Sequence, residues 1–159
     1  MSETPEQKAA DLAAQFEGFS SAPYLDTVAK PPRWTIGYGS VWLNGDSADA
    51  VTASTPPIDE PTARQWMANE LRFTAEFLAG RVEVPLTEDE KAALESLIYN
   101  IGSGNFRSST LLTLLNEGQY EQAAAQIDLW DHAGGVVVAG LLRRRQAETD
   151  LFNTPDAQT

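Results

Sequence analysis

Cysteine is absent from this 159-residue chain, so no disulfide holds its fold and the sequence carries no mark of a redox compartment. Long apolar runs are missing too. Nowhere do about 18 apolar residues follow one another, so the sequence offers no membrane-spanning helix. Basic residues are scarce: 11 Lys and Arg stand against 23 Asp and Glu, for a formal charge of -12. A protein this acidic lacks the clustered cations that a phosphate backbone requires, and no nucleic-acid partner is expected. The stretch from Met1 to Lys8 holds acidic side chains and no apolar run of signal-peptide length, so no secretory leader is expected. His132 is the one histidine, and without a second ligand candidate beside it no metal site is expected. Its place near Gly134 and Gly135 predicts a solvent-facing histidine at a helix C-terminus.

The apolar residues that are present are patterned. Ala9, Leu12, Ala13 and Phe16 recur at helical spacing behind Pro5 and predict a helix over 5–17, with Glu17 at its end and Gly18 as its stop. From Tyr24 to Leu43 the pattern turns to β-branched and aromatic residues, which reads as two or three short strands with turns at Lys30-Pro31-Pro32-Arg33 and Asn44-Gly45-Asp46. The Ser, Thr and Pro-rich segment 48–57 reads as an exposed loop.

Asp59 then caps a helix over 62–79 that ends at Gly80, with Trp66, Phe73 and Phe77 sharing one face and Met67, Leu71, Thr74 and Leu78 beside it. Thr87 with Glu90 forms a capping box for a helix that ends at Gly102 and Gly104. Further helices follow around Leu111 to Leu115, from Tyr120 to His132 with Trp130 inward, and from about Leu141 to Phe152. The basic run Arg143-Arg144-Arg145 reads most simply as a solvated helix face balanced by Glu148 and Asp150. The expected architecture is a single mostly helical α+β domain over 1–159. It comprises a small β lobe at 19–60, a connecting helix at 61–79, and a helical lobe from 5–18 and 80–155.

The densest chemistry lies between Phe16 and Gly39, where Glu17, Asp26 and Thr35 place two carboxylates and a hydroxyl at the seam of a helix and a hairpin. Glycosidic hydrolysis needs such a set: one carboxyl to protonate the leaving oxygen, and a second, ionised, to stabilise charge or activate water.

With these residues in view, the chain resembles the phage-type lysozymes of glycoside hydrolase family 24. Three blocks carry the likeness. They run from Glu17-Gly18 through Asp26 to Trp34-Thr35-Ile36-Gly37-Tyr38-Gly39; from Tyr99-Asn100-Ile101-Gly102 through Phe106 to Ser109-Thr110-Leu111-Leu112; and from Trp130 through Gly134-Gly135 to Arg143-Arg144-Arg145 and Glu148. The hairpin between Asp26 and Thr35 is a few residues longer than the family pattern, and Ser40 stands where many members carry a histidine.

The resemblance implies a lysozyme-like fold with a cleft between its lobes. It implies hydrolysis of the β-1,4 bond between N-acetylmuramic acid and N-acetylglucosamine in peptidoglycan, with no cofactor. Glu17 would be the general acid, Asp26 the base or electrostatic stabiliser, and Thr35 the residue that positions water. Val41, Tyr99, Asn100 and Thr110 match positions that meet the sugar, and one arginine of the 143–145 run would approach Glu17. Inversion through water would require the two carboxyls to stand about 6.5–9.5 Å apart. The implied setting is a phage endolysin, monomeric, made in the host cytoplasm and reaching the wall through a separate holin. Two rival readings are a lytic transglycosylase, which works with a lone glutamate, and a non-catalytic wall-binding module of a virion.

Overall fold

The computed structural model describes residues 3–133 and 135–155. Met1, Ser2, Gly134 and 156–159 lie outside that set, so the expected break at Gly134 is not described. Beside it, Gly135 takes φ +81°.

Helix α1 spans Pro5–Ala14 and opens on a capping box in which Thr4 and Gln7 each satisfy the other's backbone N–H. It ends three residues earlier than its periodicity predicts. The N–H groups of Phe16 and Glu17 both donate to the Ala13 carbonyl at 3.0 Å, closing a turn that carries the chain off the helix axis. Glu17 is therefore presented by a turn, and Gly18 needs no left-handed conformation.

Strands β1 (Ser20–Asp26) and β2 (Arg33–Gly37) pair antiparallel, with Asp26 opposite Arg33, Leu25 opposite Trp34 and Tyr24 opposite Thr35. Alternate residues of a strand share a face, so Tyr24, Asp26, Arg33 and Thr35 stand on one side of the hairpin. After β2 the Ile36-Gly37-Tyr38-Gly39-Ser40 turn closes on itself through mutual backbone bonds of 2.9 Å between Ile36 and Ser40. Gly37, at φ +68°, leaves only 3.0 Å between a hypothetical Cβ and the Ala63 Cβ, so this turn sits tightly on the long helix.

That helix, α2, spans Glu60–Arg81 behind the Asp59 cap. It runs through Gly80, contrary to expectation, because Val82 N–H closes the last turn on the Leu78 carbonyl at 2.9 Å. Its buried stripe is Ala63, Met67, Ala68, Leu71 and Leu78. Phe73 faces solvent at 57% exposure while Phe77 packs edge-on against Phe106, so the inward face is the one with Met67, Leu71 and Leu78 and the aromatic stripe lies only partly on it. The alanines allow α1 to approach closely: Ala9, Ala10 and Ala13 meet Ala63, Met67 and Tyr38 in one core.

Leu78, nearer the other end of α2, belongs to a second core with α3 (Glu88–Ile101), α4 (Ser103–Arg107), α5 (Thr110–Asn116) and α6 (Tyr120–Ile127). Phe106 and Leu97 are fully buried there. Helix α4 was not expected: Gly104 lies inside it and stops nothing. Helix α6 ends at Ile127, five residues short of expectation. His132 instead begins β3 (His132–Ala133), which pairs with β4 (Val136–Val137), and its ring faces solvent. The last helix, α7, spans Ala139–Phe152 and packs on α3.

A second glycine brings the β region onto α2. Gly45, at φ +78°, places a hypothetical Cβ 2.1 Å from the Trp66 carbonyl oxygen. Gly45→Ala should cost about 1–3 kcal/mol, because backbone must move to relieve the overlap. A urea midpoint unchanged from the wild type would show that the two segments do not pack this closely.

Candidate active site

Glu17 projects from the turn after α1, and its Oε1 accepts a 2.7 Å hydrogen bond from Nη1 of Arg144. Of the three consecutive arginines, Arg144 is thus the one that meets Glu17. The solvated-face reading of this run is overturned: Arg144 and Arg145 are 2% and 0% exposed, and only Arg143 faces solvent. Two buried cations need compensation. Glu148, itself fully buried, supplies it by accepting from Arg144 Nε at 3.3 Å, from Arg145 Nη1, and from the Ser96 hydroxyl at 2.6 Å.

Arg144 also donates to the Ser96 carbonyl at 3.1 Å, and Arg145 to the Trp130 carbonyl at 2.7 Å and to Asn100 Oδ1. The guanidinium facing Glu17 is therefore fixed from behind. The sequence did hold a trace of this arrangement, since Leu141, Arg144, Arg145, Glu148 and Phe152 follow the helical period of a buried stripe.

A pocket of about 410 Å³ opens in front of the pair, lined by Phe16, Glu17, Asn100, Val138, Leu141 and Arg144 among others. Asn100 is thus brought to Glu17. On the hairpin, Asp26 Oδ1 accepts from the N–H groups of Val28 at 2.9 Å and Ala29 at 3.3 Å, which leaves Oδ2 uncommitted. Thr35 is nearly buried and donates its hydroxyl proton to the Arg33 carbonyl at 3.1 Å. Tyr24 stands near both carboxylates: burial first, then the charges of Asp26 and Glu17, push its ionisation above the ordinary tyrosine value.

The other expected contacts divide. Tyr99 is near the site, for Glu17 is among the charges that, after burial, push its phenol well up. Its hydroxyl is occupied, however, lying 3.1 Å from Glu70 Oε2 and 3.4 Å from the Tyr38 carbonyl. Val41 is half-buried and ties its carbonyl to Val51 N–H at 2.9 Å, while Thr110 is exposed at the start of α5. No hydrogen bond or pocket lining among those described joins either one to Glu17. No cluster of three or more His, Cys, Asp or Glu suited to a metal ion occurs among the described residues.

Glu70 gave no sign in the sequence. Desolvation raises its carboxyl from 4.5 to about 7, against the lowering effect of the Tyr99 hydroxyl. Because the folded value lies above the unfolded one, the stabilisation tied to its proton is fully present below about pH 4.5 and is lost as pH rises through 7. We expect Glu70→Gln to remove on the order of 2–3 kcal/mol of that pH dependence, read from urea midpoints between pH 4.5 and 8.5. Parallel curves for the two proteins would place Glu70 in water.

A hairpin region and a helical bundle bridged by one long helix, with a carboxyl at the edge of a pocket that α3 and α7 help to line, define a lysozyme-like fold. The solved structure of a P22 lysozyme variant shares it, with a TM-score of 0.77 and 30% identity over 92% of this chain and 95% of that one. The phage lysozyme family model matches residues 14–148, and the chain belongs to that family. Among its relatives, the endolysin of Bacillus phage PZA is 33% identical over 93% of this chain and 54% of its own length. The SAR-endolysin of Enterobacteria phage P21 is 33% identical over 85% of this chain and 76% of its own. The chain thus spans about half the length of the first relative and three quarters of the second.

Proposed function

We propose that this chain is an endolysin-type muramidase that hydrolyses the β-1,4 bond between N-acetylmuramic acid and N-acetylglucosamine in peptidoglycan. The observation that carries this reading is the position of Glu17, held through one oxygen by a buried arginine and near enough for its charge to act on Tyr24, which shares the hairpin face of Asp26 and Thr35. Since Arg144 occupies Oε1, the proton passed to the leaving glycosidic oxygen belongs on Oε2. Asp26 offers its free Oδ2 to the attacking water. The Thr35 hydroxyl donates to the Arg33 carbonyl, so Oγ1 meets the water as an acceptor. A water donating to both Asp26 and Thr35 turns its lone pair toward the sugar, on the face opposite the leaving group, which is the inverting arrangement.

Asn100 borders the same pocket and serves as a sugar contact, with Tyr99, Val41 and Thr110 as further members of the cleft. The proposed route to the wall is release from the host cytoplasm through a lesion made by a separate holin. Among the described residues no helix is long and apolar enough to cross a membrane. The test is the chemistry of the product. Mass spectrometry of muropeptides released from purified sacculi should show reducing ends that have gained water, whereas anhydro ends would assign a transglycosylase and no release a non-catalytic module.

A further inference from the structure

The hairpin of this chain carries two cations beside the proposed site that the reaction itself does not use. Between residues 19 and 58 the cationic residues are Lys30 and Arg33 alone, the first in the hairpin's loop and the second at the start of β2. Arg33 is the register partner of Asp26, on the face shared with Asp26 and Thr35. Its guanidinium is exposed and enters no ion pair found among the described residues. It is nonetheless placed: its carbon lies 5.4 Å from the ring centroid of Trp42, a cation–π distance that leaves the N–H edges of the guanidinium free. Elsewhere five of the other nine Lys and Arg residues pair with the chain's own acids, Lys8 with Asp89, Arg64 with Glu60, Arg72 with Asp46, and Arg144 and Arg145 with Glu148.

A protein at -12 is repelled by an anionic wall at long range, and contact with carboxylates then depends on local cations. We propose that Arg33, seated on Trp42, binds a carboxylate of the stem peptide carried on the muramyl side of the substrate. The inference rests on the muramidase reading for the identity of the substrate but not on turnover. Arg33 forks onto the carboxylate through two N–H groups, and Trp42 is the positioning residue that holds the fork in place.

The experiment measures binding, so a failure of catalysis does not obscure it. Soluble peptidoglycan strands are titrated into the wild type and Arg33→Gln, with intrinsic tryptophan fluorescence as the readout. Three substrates are used: intact strands, strands stripped of stem peptides, and intact strands with every carboxyl capped as a methylamide. Loss of a charge-assisted hydrogen bond should weaken binding of intact strands by about tenfold in Arg33→Gln. On capped strands that difference should vanish. On stripped strands, where the stem carboxylates are gone, the difference should also shrink, and a full tenfold difference there would overturn the assignment to the stem peptide. Arg33→Lys should recover part of the affinity. Trp42→Leu should lose part of it, and Trp42→Phe should restore that loss. Equal binding of intact strands by the wild type and Arg33→Gln would overturn the proposal, as would an equal loss on capped strands.

Discussion

Glu17→Gln is expected to lower lytic turnover by about two to four orders of magnitude while leaving the fold intact. The substitution keeps the size and planarity of the side chain and removes only the transferable proton. An amide can still present its oxygen to Arg144, which donates from Nη1 at 2.7 Å, so the pocket should keep its shape. The measurement is reducing-end release from sacculi under substrate saturation, beside a thermal melt. The expected result is a collapse of kcat with a fall in melting temperature of only about 2–4 °C, since the amide keeps the hydrogen bond to Arg144 and gives up its charge assistance, about 1 kcal/mol. Retention of a tenth or more of the activity would remove Glu17 from the role of general acid.

The second large effect lies behind the site. Glu148→Ala strips the shared carboxylate from two guanidinium groups that are themselves 2% and 0% exposed. Breaking a buried ion pair from one side costs about 3–5 kcal/mol, because the remaining charge stays out of water without compensation. Against a usual domain stability of about 5–15 kcal/mol that is a large share. In a chain of this size it corresponds to a fall in melting temperature of roughly 6–20 °C. Activity should fall further than stability explains, because Ser96 and Glu148 are what fix Arg144 toward Glu17. Calorimetry and turnover below the melting range check the two parts separately, and a shift of under 2 °C would contradict the burial argument.

Much of the helical framework was legible because its signals are local. The Thr87–Glu90 capping box, the Asp59 cap and the leucines of α5 act within one or two turns of chain; α3 starts directly after its capping box, and α2 starts at Glu60, directly after its cap and two residues before the expected 62. The helix ends were read less well. Gly80 and Gly104 lie inside helices, because a glycine stops a helix only when the surroundings favour a left-handed turn there. The aromatic face of α2 misled for a related reason. Alanines at 63 and 68 let α1 approach closely, and that packing rotates the inward face away from Phe73.

For the candidate site, the residue types and order of Glu17, Asp26 and Thr35 were visible in the linear chain. Hairpin register then placed Asp26 and Thr35 on one face. Invisible from the sequence were the choice of Arg144 over its neighbours, the orphaned hydroxyl of buried Ser40, and the desolvated Glu70. Each depends on what another segment brings within a few ångströms.

The sequence by itself determined the family, the helical period of most segments, and the acidic and hydroxyl side chains offered for chemistry, since these follow from residue type and spacing. The tertiary structure alone decided which charges leave water. Arg144, Arg145 and Glu148 are solvated groups in an isolated helix. They become a buried, hydrogen-bonded network only when α7 packs on α3 and Ser96 and Asn100 close over them, because desolvation is set by neighbours that lie far away along the chain.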